Sequence, residues 1–285
     1  MDTESIHDPG EYFKDANVAD KYDGYIGKNI PHYWRTIRCI CDALRGVYGD
    51  SLSKMTAVEF GAGTGNLALT LASQLHLKRL LMLDHSASML AAALRKAKRM
   101  EIPEDRVQAV EASILNYDWN RVSGFEHPDI VLFHLSLDHV EHDSDLCQLL
   151  QDIYDRLSPG GCLVIAEKCA DGSDKNSLSW KSFLNMVQIR QSHMLENGFM
   201  SESETESWRQ HLLCDDILRP LGVLRQLIEK TGFRIYDAWG IALGADKPIT
   251  YEAFYQVMEL KRVNLSEPLD PREAFAVGIL IGVKS

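Results

Sequence analysis

Between residues 53 and 168 the chain repeats one rhythm, a short apolar run, a turn and a longer amphipathic run, and this constrains its fold more than any other feature. TAVEF (56–60), LKRLLMLD (77–84), RVQAVEAS (106–113), DIVLFHLS (129–136) and CLVIAEK (162–168) read as strands. LALTLASQL (67–75), SASMLAAALRKAKRM (86–100) and DLCQLLQDIYDRLSPGG (145–161) read as helices, with Ser86 as an N-cap and Pro159 with two glycines as a stop. Strands separated by helices need crossover connections. The expected fold is therefore α/β, a doubly wound, mostly parallel sheet with helices on both faces.

The flanks depart from that rhythm. YWRTIRCICDALRGVY (33–48) has apolar residues at helical spacing, and 14–30 reads as a helix ending near Pro31. Beyond Ala170 the alternation stops, and residues 179–213 read as helices with no strand between them. The pattern then resumes with a helix at 221–232, a strand at 233–239, a helical stretch YEAFYQVMELKR (251–262) and a last strand at 274–285. The organisation expected is N-terminal helices over 1–52, a core over 53–170, an inserted helical cap over 171–218 and the rest of the core over 219–285.

Thirty basic against 41 acidic residues give a formal charge of −11. The average surface repels phosphate backbones, so a nucleic-acid partner is disfavoured. No run of 18 apolar residues occurs, and the first residues have neither a basic nor an apolar leader segment. The expectation is a soluble, cytoplasmic protein without a membrane partner. Cys39, Cys41, Cys147, Cys162, Cys169 and Cys214 show no paired spacing, which fits reduced thiols. Oligomeric state is not readable from the chain.

The sharpest local signal follows the first strand: Glu59-Phe60-Gly61-Ala62-Gly63-Thr64-Gly65-Asn66. Three glycines let the backbone turn tightly and approach a ligand, and the next helix aims free amides at it. The spacing is GxGxG, not the GxGxxG of a dinucleotide site, and an acid stands two residues ahead of it. Beside Glu59 a diphosphate is repelled and an ammonium favoured. Asp84 ends the second strand, where an acid accepts hydrogen bonds from both ribose hydroxyls. An amino-acid-bearing nucleoside satisfies both acids.

These residues resemble the class I methyltransferases: VEFGAGTGN is similar to their first motif, LMLDHSASML to their ribose-binding strand and LSPGGCLVIAEK to their region through the fifth strand. The resemblance covers about residues 55 to 170. It implies a Rossmann-like seven-stranded sheet whose last strand inserts antiparallel, and S-adenosylmethionine as cofactor, with Gly61, Gly63 and Gly65 near its methionine moiety. Many members carry an Asp after the third strand for the adenine amino group; the matching position here is Ser113. VADKYDGYIGKNIPHY and HMLENGF further resemble the carboxy-S-adenosylmethionine synthase family of tRNA-modification enzymes. That family uses an arginine shortly before LEN to hold the extra carboxylate. Ser192 stands at that position and Arg190 is the nearest arginine, so the architecture carries over and the carboxylated cofactor does not.

The acceptor is expected beyond the carboxyl ends of the strands, against HLSLDHVEH and the EK of the fifth strand. A neutral imidazole there can take a proton as the methyl moves, which makes His139 and His134 the candidate bases, with His134 also against the cofactor. The bland readings are a core histidine for His134, a helix cap or a hydrogen bond to the backbone for Asp138 and a solvated helix start for Glu141 and His142. Glu167 is the sole acid after the fifth strand, so a metal-free site is expected. Trp180, Phe183, Met186, His193, Met194, Phe199, Met200 and Trp208 of the cap cover a flat acceptor or simply pack. Tyr12, Phe13, Tyr22, Tyr25 and Tyr33 form a lid in one reading and a packed helix in the other. The function expected is S-adenosylmethionine-dependent methyl transfer to O, N or C of a small molecule. The alternatives are a tRNA-modifying enzyme related to the synthase, and a cofactor-binding protein that transfers no methyl group, either a cyclisation catalyst or a partner-binding pseudo-enzyme.

Overall fold

In the computed structural model, which describes residues 11–115, 117–242, 258–266 and 275–284, the alternating runs close into one twisted sheet. Helices α1 (Glu11–Lys14), α2 (Ala16–Asn29) and α3 (Tyr33–Tyr48) precede β1 (Thr56–Phe60), α4 (Asn66–Gln74), β2 (Arg79–Asp84), α5 (Ala87–Arg99) and β3 (Val107–Glu111). Then come β4 (Ile130–His134), α6 (Asp143–Arg156) and β5 (Cys162–Lys168). The cap holds α7 (Leu178–Glu196) and α8 (Glu202–Gln210), followed by α9 (Leu221–Thr231), β6 (Arg234–Ala242), β7 (Glu259–Arg262) and β8 (Phe275–Val283). Ser86 caps α5 as expected, its hydroxyl accepting from the Met89 amide at 3.2 Å.

The described residues form eight strands in the order β3-β2-β1-β4-β5-β8-β6-β7. The first five run parallel, and β8 inserts antiparallel between β5 and β6. The eighth strand is β7, and with it the helix expected over 251–262 is corrected at 259–262. Residues 251–257 lie outside the described residues, and 259–262 pair with the edge of β6, from Trp239↔Arg262 to Ala242↔Glu259. An open ladder of backbone donors and acceptors outweighs the helical spacing of so short a segment. Arg262 reinforces the pairing with two hydrogen bonds to Asp237, at 2.8 and 3.1 Å.

Side chains alternate between two cores, the period-2 consequence of strand geometry. Ala57, Leu80 and Met82 face Ile37, Ile40 and Leu44 of α3 and Leu67 and Leu71 of α4. Val58, Phe60, Leu81 and Leu83 face Leu146, Leu150 and Ile153 of α6 and Leu224 and Ile228 of α9. Every residue of β4 and β5 is buried, as parallel strands covered on both faces require. Trp180, Phe183, Met186, Met194, Met200 and Trp208 of the cap are buried in the first core, so these six pack. Phe199 is exposed, with the Lys28 ammonium 3.3 Å from its ring centroid. Among the described residues no helix is long and apolar enough to cross a membrane.

Candidate functional site

The strand order reverses between β1 and β4, and a crevice opens there beyond the carboxyl ends of the strands. Glu59, Gly61, Gly63, Asp84, His134, His139 and Tyr33 all line it. The glycine turn owes its shape to backbone freedom: φ is +66° at Gly61, +53° at Gly63 and +74° at Gly65. A Cβ on Gly61 would meet Ser136 Cβ at 2.4 Å, and one on Gly65 would press on Leu69, Met82 and Ala93 at 3.1 to 3.2 Å. Gly65 thus serves the packing of α4 on the sheet, whereas Gly61 keeps the loop against the end of β4. Gly61→Ala combines a left-handed backbone with a collision, and is expected to lower unfolding free energy by roughly 2 kcal/mol. Chemical denaturation reads this; a change under 0.5 kcal/mol, the usual spread for inconsequential surface changes, would remove the packing argument.

Asp84 holds the loop from the second strand. Its Oδ2 accepts from the Gly63 amide at 2.7 Å and its Oδ1 from the Ser86 amide at 2.8 Å. Burial raises its pKa, and these two amides pull it back. Glu59 is 2 % exposed, and its Oε2 is buried with no hydrogen-bond partner. Burial holds its carboxyl well above the usual range, with Asp84 adding to the rise and the Ala68 amide and Lys96 opposing it. A buried acceptor left unpaired costs on the order of 1–3 kcal/mol, which a donor from a ligand would recover. The pair fits the amine and ribose of an amino-acid-bearing nucleoside: one unpaired acid for an ammonium, one loop-anchored acid with lone pairs left for hydroxyls.

Ser113 is exposed, its hydroxyl accepting from the Leu115 amide at 3.2 Å, and its neighbour Ile114 lines the crevice instead. His134 stacks at a tilt on Tyr33, ring centroids 5.0 Å apart, and burial pushes its pKa down to about 4. Burial also lowers His139, against the pull of Asp138 and Asp216. Both imidazoles are therefore held toward the neutral form. Leu135, between β4 and Ser136, has φ +58°, a strained conformation for a leucine, and the turn is fixed by the Ser136 and Leu137 amides donating to Glu167 Oε1, each at 2.9 Å.

The N-terminal helices roof the crevice. Phe13 and Tyr22 line it, and the Phe13 carbonyl accepts from the Ser86 hydroxyl at 2.6 Å. Asp23 on α2 takes the Thr64 hydroxyl at 2.6 Å and the Lys96 ammonium at 2.5 Å, tying the lid to the glycine loop. The Asn66 amide nitrogen donates to the Tyr33 hydroxyl at 3.0 Å. Tyr25 faces a neighbouring groove between α2 and α8, and the side chain of Tyr12 lies outside the described residues. Glu141 and His142 are exposed at the start of α6, the solvated reading.

Sequence reasoning missed a buried charged cluster behind the crevice. The Lys168 ammonium lies 2.7 Å from Asp138 Oδ2 and 2.5 Å from Asp216 Oδ2. Asp138 is therefore no helix cap: burial would raise its pKa, but Lys168 foremost and then His139 bring it down to about 2. Asp216 and its neighbour His211 come from the cap, and no local pattern connects them to the fifth strand.

A family model described as a methyltransferase domain matches residues 58–163. The chain is 31% identical over 219 residues to the carboxy-S-adenosyl-L-methionine synthase of Helicobacter hepaticus, covering 76% of this chain and 84% of that one. The synthase of Vibrio parahaemolyticus is 25% identical over 239 residues, covering 81% and 87%. Among solved structures, phosphoethanolamine N-methyltransferase 2 of Haemonchus contortus with S-adenosyl-L-methionine superposes at TM-score 0.60 and 18% identity, over 100% of this chain and 61% of that one. Magnesium protoporphyrin IX methyltransferase of Synechocystis PCC 6803 with the same cofactor gives 0.58 and 12%, over 100% of both. With its Rossmann-like sheet and the glycine turn flanked by Glu59 and Asp84, the chain belongs to the class I methyltransferase family, in kinship with the carboxy-S-adenosyl-L-methionine synthases, and its cofactor is S-adenosylmethionine.

Proposed function

We propose that this protein transfers the methyl group of S-adenosylmethionine to a small-molecule acceptor. The observation that carries the reading is the roof: Phe13 and Tyr22 of the N-terminal helices lie over a crevice that Tyr33, His134 and His139 also line, an enclosure suited to a small acceptor. The neighbouring groove between α2 and α8 is lined by Asp15, Asp20 and Glu204 together with Lys21 and Lys28, and reaches His211. The net charge of −11 opposes a nucleic-acid substrate.

The cofactor supplies an electrophilic methyl on a sulfonium. Glu59 takes its ammonium, Asp84 its ribose hydroxyls, and the amides after Gly61 its carboxylate end. His134 and His139 are the neutral imidazoles of the crevice; burial weakens both as bases, His134 down to about 4, and His139, supported by Asp138 and Asp216, is the better able to accept the acceptor's proton. Alignment within the closed crevice does the rest. A carboxylated cofactor is the second reading, favoured by the 31% identity to a carboxy-S-adenosyl-L-methionine synthase. Against it, Ser192 is exposed, and Arg190 lines a separate small cavity with Asn29, Lys168 and Trp208.

The test is mass spectrometry of the purified protein incubated with S-adenosylmethionine and a metabolite extract. Methylated product with S-adenosylhomocysteine supports methyl transfer. A cofactor species heavier by one carboxyl group would replace it with the second reading, and neither product would leave a binding protein. A separate prediction concerns protons. The Glu59 carboxyl, raised by burial, must ionise to pair with an ammonium, so cofactor binding is expected to release a proton and to strengthen as pH rises through that raised value. Calorimetry in two buffers of different ionisation enthalpy measures it; no release would remove Glu59 from this role.

A further inference from the structure

We propose that His139, His211 and Asp216 bind one divalent transition-metal ion in the wall between the crevice and the outer groove. His139 lines the crevice and His211 the groove. Asp216 Oδ1 is 3.9 Å from His139 Nδ1 and 3.5 Å from His211 Nε2, and the three ligand atoms all lie within 4.8 Å of one another. Ligands at about 2.0–2.2 Å from a tetrahedral ion stand roughly 3.4 Å apart, so a shift of about 1 Å by one ring completes the set.

Further observations point the same way. Asp216 Oδ1 and His139 Nδ1 are buried with no hydrogen-bond partner, and the Asp216 side chain is wholly inaccessible. Lys168 grips Asp216 by Oδ2 and leaves Oδ1 turned to the imidazoles, and Asp138 Oδ1 lies 3.8 Å from His139 Nε2, close enough to become its hydrogen-bond partner once the ring shifts onto an ion. The backbone is built for the pairing: α8 runs on into a π-helical turn, His211–Asp215, closed by the Asp216 amide donating to the His211 carbonyl at 3.2 Å. That rare turn sets both ligands side by side, and such turns gather at functional sites. Phe13 sets its ring edge-on to both imidazoles, at centroid distances of 4.9 and 6.0 Å, and shields the position from water.

Two imidazoles and one carboxylate suit zinc, cobalt, iron or manganese over magnesium or calcium. Three protein ligands leave positions open for an oxygen or nitrogen of the acceptor, whose proton the ion would make easier to remove. This last role rests on the methyl-transfer reading, whereas the binding itself does not. In that role the ion takes the lone pair through which His139 would otherwise act as base.

The experiment titrates Zn2+ and Co2+ into the untagged, chelator-treated full chain, following heat for zinc and visible absorption for cobalt. One equivalent is expected to bind, with cobalt bands lacking a thiolate charge-transfer feature and unchanged in Cys214→Ser. Asp216→Asn and His211→Gln are each expected to weaken binding more than about 100-fold, beyond what loss of an outer-shell partner does. His211→Gln leaves the Lys168 ion pairs whole, so its circular dichroism and S-adenosylmethionine affinity establish that it is folded. No stoichiometric binding by the wild type, or binding that survives both substitutions, would overturn the proposal without touching the cofactor reading. Methyl transfer that fails while zinc binds would do the reverse.

Discussion

Asp84→Ala is expected to weaken S-adenosylmethionine binding by about two orders of magnitude in a calorimetric titration. Each carboxylate oxygen already accepts one backbone amide, from Gly63 at 2.7 Å and from Ser86 at 2.8 Å, and each keeps a lone pair for a ribose hydroxyl. Two hydrogen bonds to a charged acceptor, at roughly 1.5 kcal/mol or more each, amount to about 3 kcal/mol, or ~150-fold. Alanine also frees the Gly63 amide, so the glycine turn loses its tether to the second strand. Asp84→Asn keeps one acceptor oxygen and is expected to fall between the two. The ordering wild type, asparagine, alanine separates the mechanism from simple unfolding, which would track thermal stability instead. Equal affinity in all three would mean that the ribose lies elsewhere and that Asp84 serves only the turn.

The glycine turn, Asp84 and Glu59 were legible in the chain because their chemistry is local: each sits at the carboxyl end of a strand within a contiguous run. The same holds for the sheet, whose strands and helices carry their own periodicity. Ser113 marks a limit. Its place after β3 was readable, but its rotamer was not, and its hydroxyl turns to the Leu115 amide while Ile114 takes the wall of the crevice. The strand β7 shows another limit, since its partner is the extended edge of β6 and not its own pattern. The run from Asp138 to His142 was singled out as titratable, yet its chemistry is decided from outside the run. Lys168 from β5 and Asp216 and His211 from the cap converge on it. A lone acid such as Asp216 carries no sequence signal of burial; the hint in the chain is Lys168, which with Glu167 puts two charges at the end of an otherwise apolar strand.

That lysine carries the second large effect. Lys168→Met is expected to lower unfolding free energy by about 3–5 kcal/mol, the cost of breaking a buried ion pair from one side. Methionine nearly conserves the volume, so the loss is electrostatic: Asp138 and Asp216, both essentially inaccessible, keep their charges with no cation. Burial alone would lower the pKa of Lys168, but the two carboxylates raise it above the ordinary lysine value, so the ammonium persists throughout the neutral range. The pH dependence follows from Asp138, whose pKa falls from an ordinary 3.8 to about 2. A depressed carboxylate stabilises the fold above its unfolded value and ceases to as pH drops through the folded one, so the wild type surrenders this contribution between about pH 4 and pH 2. In the variant the sign reverses. Without the ammonium, burial is left to raise the Asp138 carboxyl, protonation relieves it, and the gap between variant and wild type should narrow on acidification from pH 7 to pH 4. Urea unfolding at the two values measures it, and adding Asp138→Asn to the variant should recover part of the loss at neutral pH. A difference below about 1 kcal/mol at pH 7 would mean that the ion pairs of Lys168 add little to the stability of the sheet.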